Sequence, residues 1–530
     1  MNNRTSRRQF LKATAGIAFA AGVASNLSQL TSHASAVGSS EKDAENRPNV
    51  ILIFCDQMRG DCLGADGNPV VQTPNLDYLA ARGTRFAHAY SASPSCLPAR
   101  ASLMTGQDQW HTGILGMGRG QGPIPNDFPH TLAGEFTRAG YRTHMVGKGH
   151  FRPQRDLMGF ETAEIDESGR TIVNGFKDEY REWFDKHAPA GISPDDHGVD
   201  WNSWLARPWH TEEYLHPTAW TMNRSIDFLK TRDQERPFFL NISFARPHSP
   251  YVPPQPYFDM YIDGETPPAA VGEWAKMHDK PEDAVNPNAW RGRMTPEQIH
   301  RARSGYYGEI SFIDTQIGRL MNWMSRFQRE ALRDTWFVFT SDHGDMQGDH
   351  NLWRKTYAYE GSSRIPFIVV PPASARSLKR KVADEVVELR DVMPTVLEAS
   401  GLPVPGTVDG RSLLPAMKEA QSDWRSYIHG EHCTCYSTEQ EMQYVTDGNR
   451  KFIWLPRIGR EQFFDLQQDP SELNDLIDAP DRQEEVETWR KYLIHELDQR
   501  DCGWVKNGKL FCPDEPLVSP YRNKRWQGDE

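Results

Sequence analysis

Past its first segment, the 530-residue chain has no apolar run approaching the ~18 residues needed to cross a bilayer, so its body does not span a membrane. Nor does it have an excess of basic charge. Its 72 acidic and 60 basic side chains give a formal net charge of -12, which counts against wholesale binding to nucleic acid. No internal repeat or low-complexity tract interrupts it. With 38% hydrophobic and 11% aromatic residues it can build a sizeable core, which sets aside a disordered or collagenous chain. Cysteine is scarce and odd in number. The seven are Cys55, Cys62, Cys96, Cys433, Cys435, Cys502 and Cys512, so at least one is unpaired or used otherwise. Cys502 and Cys512 flank a short turn and could close a small hairpin, but spacing alone does not settle the pairing.

Residues 1–36 are of a different kind. Arg4, Arg7, Arg8 and Lys12 stand with no acid, an Ala/Gly-rich stretch follows from Ala13 to Ala24, and Ala34-Ser35-Ala36 ends it with small residues. This reads as a secretory leader. Ser6-Arg7-Arg8-Gln9-Phe10-Leu11-Lys12 places it in the class recognised by the twin-arginine translocase. The expectation is an exported protein, periplasmic or extracellular, with no transmembrane anchor. Residues 37–47 read as a tether.

The body alternates two periods. Asn49–Phe54, Pro237–Phe244, Trp336–Thr340 and Ile365–Val370 are continuous apolar runs that fit strands buried on both faces. Helices are expected from Thr73-Pro74 to near Gly83, over residues 131–140, and over residues 296–324. Strands alternating with helices predict an α/β fold: a large mixed, mostly parallel sheet sandwiched by helices. After about residue 420 short strands (443–446, 451–454, 462–466) come with turn signals and a charged helix over 482–497. That texture predicts a smaller antiparallel sheet with one helix. The expected division is 48–420 for the catalytic part and 421–530 for the C-terminal part.

Two strand ends carry chemistry. Asp56-Gln57 closes the first apolar run and Asp342-His343 the third. Two carboxylates with an amide oxygen and an imidazole suit one divalent cation at the carboxyl edge of the sheet. Each pair taken alone also reads as the N-cap of a following helix. Cys96 stands at a helix entry with Pro98 early and Arg100 one turn on, which suits either a thiolate nucleophile or ordinary packing.

Here the sequence resembles a known family. Cys96-Leu97-Pro98-Ala99-Arg100, followed by Ala101-Ser102-Leu103-Met104-Thr105-Gly106, is similar to the signature of the type I sulfatases of the alkaline phosphatase superfamily. Thr73-Pro74-Asn75, Gly147-Lys148-Gly149-His150, Pro247-His248-Ser249-Pro250, Asp342-His343-Gly344 with Lys355, and Phe463-Phe464-Asp465-Leu466 continue the likeness in order over roughly residues 48 to 480. The resemblance implies an alkaline-phosphatase-like fold and a nucleophile made by oxidising Cys96 to formylglycine, the work of a formylglycine-generating enzyme. It implies one divalent metal held by Asp56, Gln57, Asp342, His343 and the modified Cys96, with calcium expected ahead of manganese or magnesium. It also implies roles for Lys148 and Lys355 on the sulfate, for Arg100 on the nucleophile's hydroxyls, for His248 as acid to the leaving alcohol, and for His150 as the base that releases sulfate.

Two positions depart from the commoner pattern. Many sulfatases have aspartate where Gln57 stands and asparagine where His343 stands, and the Gln/His pair resembles that of phosphonate monoester hydrolases. A phosphonate monoester or phosphodiester hydrolase is therefore the alternative to a sulfatase acting on sulfated carbohydrate or aryl sulfate. A glycan-binding protein with an unconverted cysteine would have little need for Cys96, Arg100, Lys148 and His150 together. Trp201, Trp204, Trp209 and Trp220 are candidate sugar platforms or core residues. His429-Gly430-Glu431-His432 fails the His-Glu-x-x-His metal spacing and stands as a specificity element at the pocket rim.

Overall fold

The computed structural model describes residues 47–117, 124, 127–168, 175–378, 380–500, 502–515, 517 and 519. The leader, and the tether up to residue 46, lie outside the described residues. Eight strands build the larger sheet: β1 (Asn49–Asp56), β2 (Thr84–Tyr90), β3 (Arg142–Gly147), β4 (Thr162–Ile165), β5 (Phe238–Pro247), β6 (Thr335–Ser341), β7 (Phe367–Val370) and β8 (Val382–Glu388). Their order is β4-β3-β5-β1-β6-β7-β2-β8. Seven run parallel and β7 alone is reversed, between β6 and β2. The apolar runs announce β1, β5, β6 and β7. The other four mix charged and polar residues into strands that lie nearer the sheet edges, so they carry no comparable signal.

The alternation along β1 divides the core. Ile51, Ile53 and Cys55 point into one cluster and Val50, Leu52 and Phe54 into the other, the period of two expected of a strand covered on both faces. The long Pro296–Phe327 helix packs on the first face. It begins with Thr295 and Gln298 in a reciprocal capping box and proline in the first turn. The Cys96–Thr105 helix packs on the second face.

Four neighbouring strands end at the same edge. Lys148 follows β3, His248 follows β5, Asp56 closes β1 and Asp342 follows β6. The parallel registers pair Gly147 with Ser243, Asp56 with Pro247 and Cys55 with Ser341. Residues almost 300 positions apart in the chain are thereby neighbours beyond the carboxyl ends of the strands.

A second sheet, β9 (Ile428–His432), β10 (Met442–Thr446), β11 (Arg450–Leu455) and β12 (Arg460–Asp465), is antiparallel throughout. One face takes the Gln483–Asp498 helix through Trp489, Leu493 and Leu497 against Phe452 and Phe463. The other face sets Tyr444, Ile453 and Phe464 against Met346, Leu352, Tyr357 and Tyr359, and so clamps the segment that carries Lys355. Between Cys502 and Cys512 a hairpin forms, Val505–Lys506 against Lys509–Leu510. Both flanking thiols are free. Among the described residues no helix is long and apolar enough to cross a membrane.

One buried lysine ties the two sheets together. Lys451 on β11 donates to the Ala358 carbonyl at 2.7 Å, to Glu360 at 2.7 Å and to Glu472 at 3.0 Å. Burial pushes Glu472 up to about 7 even beside this cation. Lys451→Met should therefore lose about 3–5 kcal/mol of stability at pH 8, because it leaves buried carboxylates uncovered. Urea unfolding measures the loss, and it should shrink at lower pH as Glu472 takes up a proton.

Candidate active site

Cys96 opens a helix in which every residue but Leu97 is buried. Ser95 before it is extended, and Gly106 ends the helix in the left-handed conformation that glycine adopts without strain. The thiol thus enters the carboxyl edge of the sheet at a helix N-terminus. Its sulfur lies 3.1 Å from Lys355 Nζ, 3.3 Å from His343 Nε2 and 3.7 Å from Asp56 Oδ1. Burial and the Asp56 charge oppose ionisation of this thiol, but Lys355, Lys148 and His343 outweigh them and hold it well below the ordinary thiol range.

Charge governs the rest. Asp56 faces Lys148 Nζ at 2.7 Å and accepts from Arg100 at 2.9 Å. Burial raises the Asp56 carboxyl, yet Lys148, His248 and Arg100 together keep it well below the usual range. Asp342 accepts the backbone N–H groups of Gln57 and His343, each at 2.9 Å. Burial first, and then Asp56, push Asp342 up to about 7. Arg100 spans both carboxylates, reaching Asp342 at 3.3 Å, and donates to the Lys148 carbonyl at 2.7 Å. The guanidinium also donates to the Ser243 hydroxyl at 3.1 Å, so Arg100 positions Asp56, Asp342 and the Lys148 loop.

The side chains at this edge fit a hard divalent cation. Asp56, Cys96, Asp342 and His343 offer ligand atoms all within 4.8 Å of one another. His343 Nδ1 lies 2.8 Å from the Gly344 carbonyl, which orients the ring so that Nε2 faces the cluster. Gln57 donates its amide N–H to Asp345 and turns its oxygen inward, 3.0 Å from Lys355 Nζ. Asp342 Oδ2 is buried with no hydrogen bond. Two close carboxylates, one of them reluctant to ionise, are what a divalent charge would stabilise.

Left-handed backbone at non-glycine residues gathers around this centre: Gln57 (φ 72), His150 (φ 63), Arg354 (φ 66) and Thr356 (φ 83). Such conformations persist only where surroundings impose them. The Thr356 N–H donates to the Pro94 carbonyl at 2.9 Å, which holds the Lys355 segment to the Cys96 loop.

The two remaining histidines flank the centre. His248 Nδ1 is 2.6 Å from the Ser249 carbonyl, and its ring stacks on Trp201 at 4.9 Å. Burial, Lys355 and Lys148 hold His248 well below the usual imidazole range. His150 shares the loop of Lys148. Its backbone N–H donates to Glu167 at 2.8 Å, as does Gly149 at 3.1 Å, while its buried Nδ1 has no hydrogen bond. Glu167, pushed up to about 8 chiefly by burial, braces this loop, and no motif in the sequence marks it.

The tryptophan cluster divides. Trp204, Trp209 and Trp220 belong to the core cluster, and of the four it is Trp201 whose ring lies beside Lys148, 5.5 Å from Nζ. His429-Gly430-Glu431-His432 is not a rim element but the buried strand β9. His432 Nε2 lies 2.7 Å from Ser95 Oγ, and its Nδ1 lies 2.6 Å from the Cys433 carbonyl. His432 therefore supports the residue preceding Cys96. His432→Ala should leave the Ser95 hydroxyl buried without this partner and lower stability by about 1–3 kcal/mol, measured by urea unfolding.

Comparison with known proteins agrees with this geometry. The Sulfatase family model matches residues 48–402, and the model for the N-sulphoglucosamine sulphohydrolase C-terminal region matches residues 348–499. An arylsulfatase of Clostridium perfringens is 42% identical over 476 residues, covering 88% of this chain and 97% of its own. A choline-sulfatase of Rhizobium meliloti is 30% identical over 461 residues, covering 82% and 83%. In fold, the chain resembles the crystal structure of a phosphonate monoester hydrolase of Agrobacterium radiobacter, with a TM-score of 0.70 at 24% identity over 89% of this chain and 99% of that one. An alkaline-phosphatase-like sheet that gathers Cys96, its basic partners and a carboxylate pair at one edge, in a chain matched over most of its length by sulfatases, belongs to the sulfatase family: it is a sulfuric ester hydrolase.

Proposed function

We propose that this sulfatase is exported through the twin-arginine translocase and hydrolyses sulfate esters of carbohydrates, using a formylglycine made from Cys96 by a formylglycine-generating enzyme. The observation that carries this reading is the placement of Cys96 Sγ, buried at a helix N-terminus between Lys355, His343 and Asp56. The carbohydrate reading is supported by the N-sulphoglucosamine sulphohydrolase model over residues 348–499.

Each side chain has a part in the reaction. The hydrated aldehyde at position 96 presents two hydroxyls. One gives its proton to water as its oxygen attacks sulfur, while the bond from sulfur to the alcohol oxygen breaks. The departing oxygen takes a proton from His248, whose pKa rises once the anionic sulfate is seated beside it. The second hydroxyl then gives its proton to His150 as the carbon–oxygen bond to the sulfate breaks. Inorganic sulfate leaves, the aldehyde returns, and water restores the hydrate. Lys148 and Lys355 offset the charge on the sulfate oxygens, and Arg100 holds Asp56 and the Lys148 loop in place. A divalent cation held by Asp56, Gln57, Asp342 and His343, calcium ahead of manganese or magnesium, would polarise the sulfate and acidify a hydroxyl.

Gln57 and His343 favour a second reading, hydrolysis of phosphonate monoesters or phosphodiesters at the same site. Side-by-side kcat/KM values for a sulfate monoester and a phosphodiester decide between them, and the sulfate is expected to lead.

Mass spectrometry of the peptide spanning Cys96 should show a loss of about 18 Da, from thiol to aldehyde. Finding only cysteine in active protein rejects the mechanism. Chelation should abolish turnover and lower the thermal midpoint, because a cation that binds only the folded state stabilises it. Adding back calcium, manganese and magnesium in turn identifies the metal.

A further inference from the structure

Beside the catalytic centre lies a cavity of about 250 Å³ whose wall includes Trp201, Asp166, Arg246, Arg181 and Trp209. Two of these residues also touch the leaving-group side of the site. The Trp201 ring stacks on His248 at 4.9 Å, and Arg246 donates to the His248 carbonyl at 3.0 Å. The cavity therefore adjoins the place where the alcohol departs.

Its polar groups are unusually incomplete. Asp166 Oδ2, Arg246 Nε, Arg181 Nε and Trp209 Nε1 are all buried without a hydrogen bond. Asp166, Arg246 and Trp209 are 1%, 5% and 6% exposed, which rules out casual solvation at a surface. Each such group left without a partner costs about 1–3 kcal/mol, so a wall with several of them has the character of a binding site. Arg181 is already held by both oxygens of Asp195, and Arg246 Nε lies 3.5 Å from Glu309. What remains without a hydrogen bond is the acceptor Asp166 Oδ2 and the donor Trp209 Nε1, with Arg246 Nε held only by that longer ion pair, in a wall that also holds the Trp201 indole.

Charge and size narrow the occupant. The wall carries Asp166, Asp195 and Asp200 against Arg181 and Arg246, so it offers a polyanionic chain no net attraction. The cavity is also smaller than the roughly 300–1,000 Å³ of sites for drug-sized ligands. We propose that it receives one neutral, hydroxylated sugar ring of the substrate. In that pose Trp201 stacks on the ring, Asp166 accepts from a hydroxyl, and Arg246 and Trp209 donate to others. The inference rests on the carbohydrate reading above and sharpens it to sulfate monoesters of neutral sugars.

The test uses the full-length, formylglycine-containing enzyme with three probes: 4-nitrophenyl sulfate, the 6-sulfates of glucose and galactose, and a polysulfated disaccharide containing a uronate. The neutral sugar sulfates should show a higher kcat/KM than the polysulfated disaccharide. Asp166→Asn and Trp209→Phe should each lower the ratio of kcat/KM for sugar sulfate to that for 4-nitrophenyl sulfate about tenfold, mainly through KM, as expected for one lost hydrogen bond of about 1.4 kcal/mol. An unchanged ratio in both variants overturns the inference, as does a preference for the polysulfated disaccharide. Turnover of the aryl sulfate with no neutral sugar sulfate cleaved also overturns it while leaving the sulfatase mechanism standing. Failure to cleave any of the three strikes at the mechanism itself.

Discussion

The structure depends on keeping two buried carboxylates side by side. Asp56 and Asp342 close adjacent parallel strands, and neither has access to water. Arg100 bridges them, Lys148 pairs with Asp56, and Lys355 approaches from the opposite segment through Cys96 and Gln57. Removing any one of these cations would weaken the compensation of buried charge, a situation that proteins tolerate poorly. Around that constraint the molecule is arranged: a helix must deliver Arg100, a strand end must deliver Lys148, and a distant loop must deliver Lys355.

Cys96 lies in the same field. The cations that stabilise the aspartates also surround Cys96, which opens a helix. A position prepared in this way suits a nucleophile facing an anionic ester, since the groups are ordered before the substrate arrives and need not reorganise during reaction. The strained backbone at Gln57, His150, Arg354 and Thr356 belongs to the same arrangement. These residues stand beside the charged groups they orient, and the packed surroundings hold them in conformations they would not adopt alone.

The smaller sheet completes the site rather than merely adjoining it. Its one face buries Tyr357 and Tyr359, next to Lys355, and its first strand sends His432 to Ser95, next to Cys96. Lys451 joins it to the loop at Ala358 and Glu360. Both sides of Cys96, the helix entry and the lysine segment, are therefore fixed from the C-terminal part of the chain.

By itself the sequence determined the central strands, the long helices and the ordered series of motifs. Those features are local: continuous apolar runs, capping residues, and short spacings around Cys96, Lys148, His248 and Asp342. It also determined the polar donor set at this edge of the sheet, because Asp56-Gln57 and Asp342-His343 each stand at an abrupt strand end. Only the tertiary structure decided which of the four clustered tryptophans meets the site, that Arg100 faces the aspartates, that Glu167 braces the His150 loop, and that His432 is buried behind Ser95 rather than on a rim. The strands nearer the sheet edges, β2, β3, β4 and β8, were likewise invisible, since their polar residues are accommodated by neighbours that the local pattern does not name. The physical reason is the same throughout. Periodicity and capping act over a few residues, whereas the partner of a buried charge or hydroxyl is set by strands whose pairing joins residues hundreds of positions apart.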